Sequence, residues 1–205
     1  KNAASICKSD LSSEMVYEFP ELQGVIGTYY AREAGFEKKI ADVCKEHYAP
    51  LGPSDKVPSS PISIVVALAD KIDTLTSFWS INEKPSGSKD PFALRRSALG
   101  LIRIIIENDI RISLSDILAL GNDRADIKDL KYFIHQRMKV FLRDQSLRHD
   151  LIDACLSFDE GDDLALSVKK SFALVDFIKT SDGSNLIQGF KRANNILLQA
   201  EQSDG

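Results

Sequence analysis

Cysteine is scarce in this sequence of 205 residues. Cys7, Cys44 and Cys155 are odd in number and widely separated, which excludes a disulfide framework and fits free thiols in a reducing compartment. Histidine is equally scarce, and His47, His135 and His149 never fall into the four-ligand spacing of a structural zinc site. Long apolar runs are missing. The greasiest stretches, Ile62–Ala69 and Leu99–Ile106, fall well short of the roughly 20 residues that cross a bilayer. No basic segment followed by an apolar one opens the chain, so no signal peptide is legible. Positive charge is not in excess either. Lys plus Arg is 26 against 30 Asp plus Glu, a formal net charge of −4. That excludes a whole-face nucleic-acid binder while leaving local basic patches open. These absences point to a cytoplasmic protein without membrane or DNA partners. The start at Lys1 without a methionine reads as a piece excised from a longer chain.

What is present is helical periodicity, in a chain long enough for one or two domains. Hydrophobic residues at 43% and charged residues at 27% give the balance of a globular protein. A first helix is expected to about Phe19, where Pro20 interrupts. A second carries Leu22, Val25, Ile26, Tyr29 and Tyr30 and ends at Gly35, and a third spans about Phe36 to Tyr48. Pro50, Pro53 and Pro58 then forbid a continuous helix. Ser60-Pro61 reads as a cap with proline at the first helical position. The helix it starts places Val65, Leu68, Ala69, Ile72, Leu75 and Trp79 on one stripe and gives out near Asn82. Asp90-Pro91 repeats that start for a helix from Phe92 to about Glu107. Ser113 and Asp116 open a short helix closed by Gly121. Further helices are expected at about 126–144, 147–157, 163–179 and 185–200. No alternation of period two and no internal repeat is found, so the fold class is all-α, a multi-helix bundle. Interruptions at about 108–125 divide a region 1–108 from a region 109–205, as two subdomains or as one bundle.

Few residues are spaced for chemistry. Asp70 and Asp73 are three apart, with Ser77 four further on, and share a strip beside the apolar stripe. Such a carboxylate pair binds a metal or acts as a general base in some settings, and equally forms a solvated face or caps a neighbouring helix. Cys44 and His47 make a C-x-x-H pair on adjacent turns, half a zinc site at most. The plainer expectation is a packed thiol and an imidazolium favoured near a helix C-terminus. His149-Asp150 spells a doublet with no third ligand nearby. Ser86-Gly87-Ser88-Lys89 precedes a helix N-terminus, where N–H groups attract phosphate, yet it lacks the spacing of a P-loop. A tight turn and a capped helix explain the same residues.

Charge is uneven along the chain. From Lys128 to Arg148 six basic residues stand against two acidic ones, and from Asp150 to Asp163 there are six acidic residues and no basic one. Lys89, Arg95, Arg96 and Arg103 make a second basic group. Such patches meet an RNA backbone without reading its sequence, although aromatic partners for base stacking are sparse. They equally form solvated faces with intrahelical pairs.

Several long motifs occur in one order: EFPELQGVIGTYYA (Glu18–Ala31), EHYAP (Glu46–Pro50), VALADKIDTL (Val66–Leu75) and SGSKDPFALRRSALGLIRI (Ser86–Ile104). In that order they resemble the β subunit of the bacterial heterotetrameric glycyl-tRNA synthetase. The likeness is dense from Cys7 to Ile104 and continues through YFIHQRMKVFLRDQ (Tyr132–Gln145) and FKRANNIL (Phe190–Leu197). The resemblance implies a part of the enzyme that joins glycine to its tRNA, with ATP, Mg and adenylate chemistry on a separate α subunit and tRNA handling on the β subunit. It implies the α subunit and tRNA-Gly as partners, and no cofactor in this chain itself. The chain would correspond to the middle-to-late helical region, without the N-terminal part or the terminal anticodon-binding domain. Thr28, Ile26 and Ser86 depart from the family pattern, and Thr28 removes a basic residue.

The same region is similar to HD-type helical domains, metal phosphohydrolases whose last Asp lies in a helix like ALADKIDTL. Asp70 matches that position, with His47 and Asp73 as further vestigial ones, but the histidine–aspartate doublet that should precede it is missing. The resemblance therefore implies a degenerate HD-like core with no catalytic residue and no bound metal, followed by further helices. On this reading the chain is a non-catalytic module for tRNA handling and subunit assembly, with RNA contacts at Lys89, Arg95 and Arg96, then Arg137, Lys139 and Arg143. One alternative is a metal-dependent phosphohydrolase using Asp70, Asp73 and His47. Another is a purely architectural spacer, resting on core residues such as Leu75 and Phe92.

Overall fold

A computed structural model describes residues 1–145, 147–156 and 162–203. Among them the regular structure is helical apart from one isolated bridge between Ser86 and Lys89. The chain opens in short pieces: α1 (Asn2–Ile6), a 3-10 turn at Ser9–Ser12, α2 (Glu14–Glu18) and a second 3-10 turn at Pro20–Leu22. The single helix expected to Phe19 is thus broken, and Asp10 is the reason. Its buried carboxylate turns inward and accepts the Gly24 N–H at 2.6 Å, while Ser13 caps α2 by accepting the Val16 N–H at 3.3 Å. Gly24 has φ +77°, and a Cβ there would sit 2.7 Å from the Cys44 carbonyl, so only glycine serves. After α3 (Val25–Glu33), the third expected helix is two single turns, α4 (Lys38–Ala41) and α5 (Val43–Glu46).

The long helices follow: α6 (Pro61–Ser80), α7 (Leu94–Glu107), the short α8 (Leu114–Leu118), α9 (Ile127–Asp144), α10 (His149–Leu156), α11 (Leu164–Ile178) and α12 (Ser181–Ser203). The expected end of α10 at Ser157 lies outside the described residues. α7 starts at Leu94, later than the Asp90-Pro91 signal suggests. The Asp90 carboxylate does cap it, accepting the N–H groups of Leu94 at 2.8 Å and Arg95 at 3.0 Å, but Ala93 takes a left-handed φ of 53° and keeps the preceding residues in a turn. Ser113 and Asp126 cap α8 and α9 in the same way, through the N–H groups of Asp116 and Asp129.

The main core lies where α6, α7 and α9 pack together, closed by α8, α10 and α11. Leu94, Ala98, Leu101, Ile102 and Ile105 of α7 meet Leu130, Ile134, Met138 and Leu142 of α9 at spacings of three and four, the apolar face of a helix. α6 adds Ile72, Leu75 and Trp79, but its stripe is rotated from the expected one. Val65 and Ala69 are exposed while Ser63, Lys71 and Thr76 are buried. Polar partners cause the rotation: the Ser63 hydroxyl bonds the Glu46 carboxylate, and Lys71 bonds carbonyls after α5. Smaller clusters, Ala3, Cys7, Val43 and Val66, then Ala31, Ala41 and Cys44, hold the N-terminal turns. Leu186, Phe190 and Leu197 of α12, although spaced four and seven apart along the helix, are exposed. Among the described residues no helix is long and apolar enough to cross a membrane.

Phe92 is not a core residue. It is half-exposed and stacks on Phe78 with ring centroids 4.2 Å apart. Leu75→Ala is therefore expected to cost about 2–5 kcal/mol in urea unfolding. Phe92→Ala, which loses one exposed aromatic pair, should cost about 1–2 kcal/mol. Equal losses for the two would show that the aromatic pair, not the helix seam, carries that end of the bundle.

Candidate functional site

The clearest concavity is a groove of about 380 Å³ between α7, α9 and the connection Pro50–Pro53. Helical spacing builds two of its walls. Arg95, Arg96, Leu99, Gly100 and Arg103 fall on one face of α7, opposite the face that enters the core, and Arg137, Val140 and Asp144 do the same on α9, with Phe141 lining the groove while also packing against the core. Arg103 is buried and fully engaged. Its Nε donates to the Glu107 carboxylate at 2.7 Å, and its Nη atoms donate to the carbonyls of Gly52 at 3.0 Å and Asp55 at 2.7 Å. Asp55 in turn accepts the N–H groups of Leu51 at 3.0 Å and Gly52 at 2.8 Å, which stiffens the third wall.

The basic residues singled out from the sequence sort into three groups. Arg95, Arg96 and Arg137 converge on the groove. Arg95 donates to the carbonyls of Gly87 at 2.7 Å and Lys89 at 3.4 Å, which keeps the exposed Lys89 beside it. Arg137 lies 5.9 Å over the Phe133 ring, and its buried Nε has no hydrogen-bond partner. Burial and the like charges of Arg95 and Arg143 hold its affinity for a proton below the usual arginine range. Arg143 is thus within electrostatic reach but stands outside the groove, exposed. Lys139 is apart from it, ion-paired to Asp153 of α10 at 2.6 Å. Among the described residues no carboxylate forms an ion pair with Arg96, Arg137 or Arg143.

The vestigial HD-like positions have a different character. His47 is fully buried and its Nδ1–H donates to the Val43 carbonyl at 2.8 Å, leaving Nε2 without a partner. Burial lowers its pKa, so it is a neutral imidazole and not the imidazolium expected at a helix end. Asp70 acts electrostatically on His47 but is ion-paired to Lys8. Asp73 is exposed. A buried ammonium completes the cluster: Lys71 Nζ donates to the carbonyls of His47 at 3.3 Å and Tyr48 at 3.5 Å, and burial pushes its pKa down to about 8. Its stem passes across Gly100, where a Cβ would lie 2.6 Å from Lys71 Cε. Among the described residues no three His, Cys, Asp or Glu side chains gather as a metal site. A divalent ion needs several such ligands, so these residues do not fit one, and the phosphohydrolase reading loses its ligand set.

Other expectations are settled nearby. Cys44 packs as a small apolar group, with its pKa pushed up to about 11 by burial. Thr28 is buried and its hydroxyl donates to the Gly24 carbonyl at 3.0 Å. The Ser86–Lys89 segment is a turn before a helix whose first N–H groups Asp90 already occupies. In the acidic stretch, Asp159 and Glu160 lie outside the described residues, as does the side chain of His149. Asp162 bonds Ser113, Ser115 and Lys131, and although burial pushes its carboxyl up, those partners outweigh it and hold it well below the usual range. Asp163 caps α11 and pairs with Arg111 at 2.5 Å. Sequence reasoning missed the apolar floor of the groove, Leu99 and Phe141, although their spacing from Arg95 and Arg137 by four carries the signal.

A family model described as glycyl-tRNA synthetase beta subunit matches residues 1–157. The chain is 61% identical over 205 residues to a glycine–tRNA ligase beta subunit of Ruegeria sp. (strain TM1040), covering 100% of the chain and 30% of that protein. It is 59% identical over 205 residues to the one of Paracoccus denitrificans (strain Pd 1222), with the same coverage. Against that of Dinoroseobacter shibae the identity is 52% over 240 residues, 100% of the chain and 33% of that protein. The chain therefore spans about a third of the length of the curated relatives it matches.

Lys71 gives a pH dependence with a definite sign. Its pKa falls from an ordinary 10.5 to about 8 on folding, so between those values the unfolded chain binds more protons and stability rises with pH. The cost of burying the ammonium is complete below pH 8. Lys71→Met removes it, so the stability of the variant relative to the parent should decline by about 2–3 kcal/mol between pH 7 and pH 10. Thermal unfolding of both across that range checks this, and a constant difference would mean that the ammonium is not desolvated.

Proposed function

Because the chain belongs to the glycyl-tRNA synthetase beta-subunit family, we propose that it is a non-catalytic helical module of a glycine–tRNA ligase, the enzyme that joins glycine to tRNA-Gly with ATP. In this reading the enzyme is a cytoplasmic heterotetramer whose ATP and Mg chemistry belongs to a separate α subunit. The module is a degenerate HD-like core with further helices. It helps to position tRNA-Gly and to assemble with the α subunit.

One observation carries the tRNA part: three arginines from two helices converge on one groove, and Arg96 and Arg137 have no carboxylate partner among the described residues. Positive charge gathered in one groove without an ion-pair partner attracts an anion. RNA phosphates supply that anion along a whole backbone, and such binding weakens as salt rises. Arg103 and Lys139 serve the fold through Glu107 and Asp153, which leaves Arg95, Arg96 and Arg137, with Lys89 and Arg143 at the edges, as the contact set.

A salt titration of tRNA binding tests this. Arg96→Ala and Arg143→Ala should each lower the slope of log affinity against log salt by about one. In the complete ligase, Arg95→Glu combined with Arg96→Glu should raise the KM for tRNA and lower aminoacylation. Unchanged affinity together with unchanged aminoacylation would discard the patch.

A further inference from the structure

We propose that the groove between α7, α9 and the Pro50–Pro53 connection takes an unpaired nucleotide of the RNA, with its base against the apolar floor and its phosphate at the arginine rim. The inference rests on the RNA reading above and adds which part of the RNA enters.

Shape is the first argument. A duplex backbone lies along broad, shallow basic surface, whereas this groove is concave and of about 380 Å³, the size of a small-ligand pocket. Its chemistry is divided in the same way as a nucleotide. Leu99 and Phe141 offer apolar surface that has nothing to give a phosphate, while Arg96 and Arg137 offer charge that has nothing to give a purely apolar ligand. Arg137 adds a planar group whose buried Nε still lacks an acceptor, and guanidinium planes stack on bases as well as bond phosphates.

Asp144 also lines the groove, and a base amino group or a ribose hydroxyl finds an acceptor there, as neither a phosphate nor a peptide carboxylate does. The lip is also built in advance. Leu51 projects more than half exposed from a connection that Arg103 and Asp55 hold in place through the hydrogen bonds at Gly52. A rigid lip loses little freedom when a base slides beneath it.

The test uses the full-length protein carrying this chain and two RNA hairpins, one blunt and one with a short single-stranded overhang containing 2-aminopurine. Binding of the overhang hairpin should change the 2-aminopurine emission in step with anisotropy. Leu51→Ser, at an exposed position, and Leu99→Ser should abolish that change. Each should weaken the overhang hairpin about fivefold or more while leaving the blunt hairpin unaffected. Arg96→Ala should weaken both hairpins. If the two serine variants are silent while Arg96→Ala still acts, the nucleotide pocket falls and the RNA reading stands. If Arg96→Ala changes neither hairpin, both fall. Displacement of the overhang hairpin by an acidic aromatic peptide, with emission returning to that of free RNA, assigns the groove to a protein segment and overturns the proposal.

Discussion

Two buried cations fasten the segment from His47 to Asp55 onto the α6–α7 pair, and the groove exists because of that attachment. The last carbonyls of a helix have no partner within it, and α5 is too short to shield them from the core. Lys71 supplies the donor from α6 to the carbonyls just past α5, and Arg103 supplies two more from α7 to those of Gly52 and Asp55. Lys71 reaches its carbonyls because α7 is slim where the lysine stem crosses it, at Gly100. A cation is a costly way to satisfy a carbonyl, as the lowered proton affinity of Lys71 records. In return the Pro50–Pro53 connection becomes a fixed third wall.

The charged residues divide by whether their partners are already in the chain. Lys131 with Asp162, Lys139 with Asp153 and Arg111 with Asp163 link helices, and Asp162 also joins the N-terminus of α8 through Ser115. Such partly exposed pairs contribute little each, but they orient α8, α9, α10 and α11 around the shared core. Arg96, Arg137 and Arg143 are left over, on the side where α7 and α9 turn away from that core. The same two helices thus do opposite work on opposite faces: apolar spacing builds the bundle, and the remaining positions gather positive charge.

Helix-level structure was legible because periodicity is a local property. α6, α7 and α9 lie close to where spacing and capping residues put them, and Ser113 acts as a cap in both readings. The errors share one cause. The break at Asp10, the rotation of α6 and the neutrality of His47 each depend on a partner far away in sequence: Gly24, Glu46 or the packing around α5. Phe92 shows the same limit in reverse, since an aromatic residue near a helix start reads as core until its exposed stack on Phe78 is seen.

The amino-acid order by itself determined an all-α chain, the approximate extents of its long helices and the motif series that marks its family, because these rest on neighbours three, four or a few dozen residues apart. It also determined that positive charge is abundant on α7 and α9. Only the tertiary structure decided which of those charges meet. Ion pairing depends on distances across the bundle, so Lys139 and Arg137, two residues apart on one helix, part company: one faces Asp153 and the other an empty-handed groove.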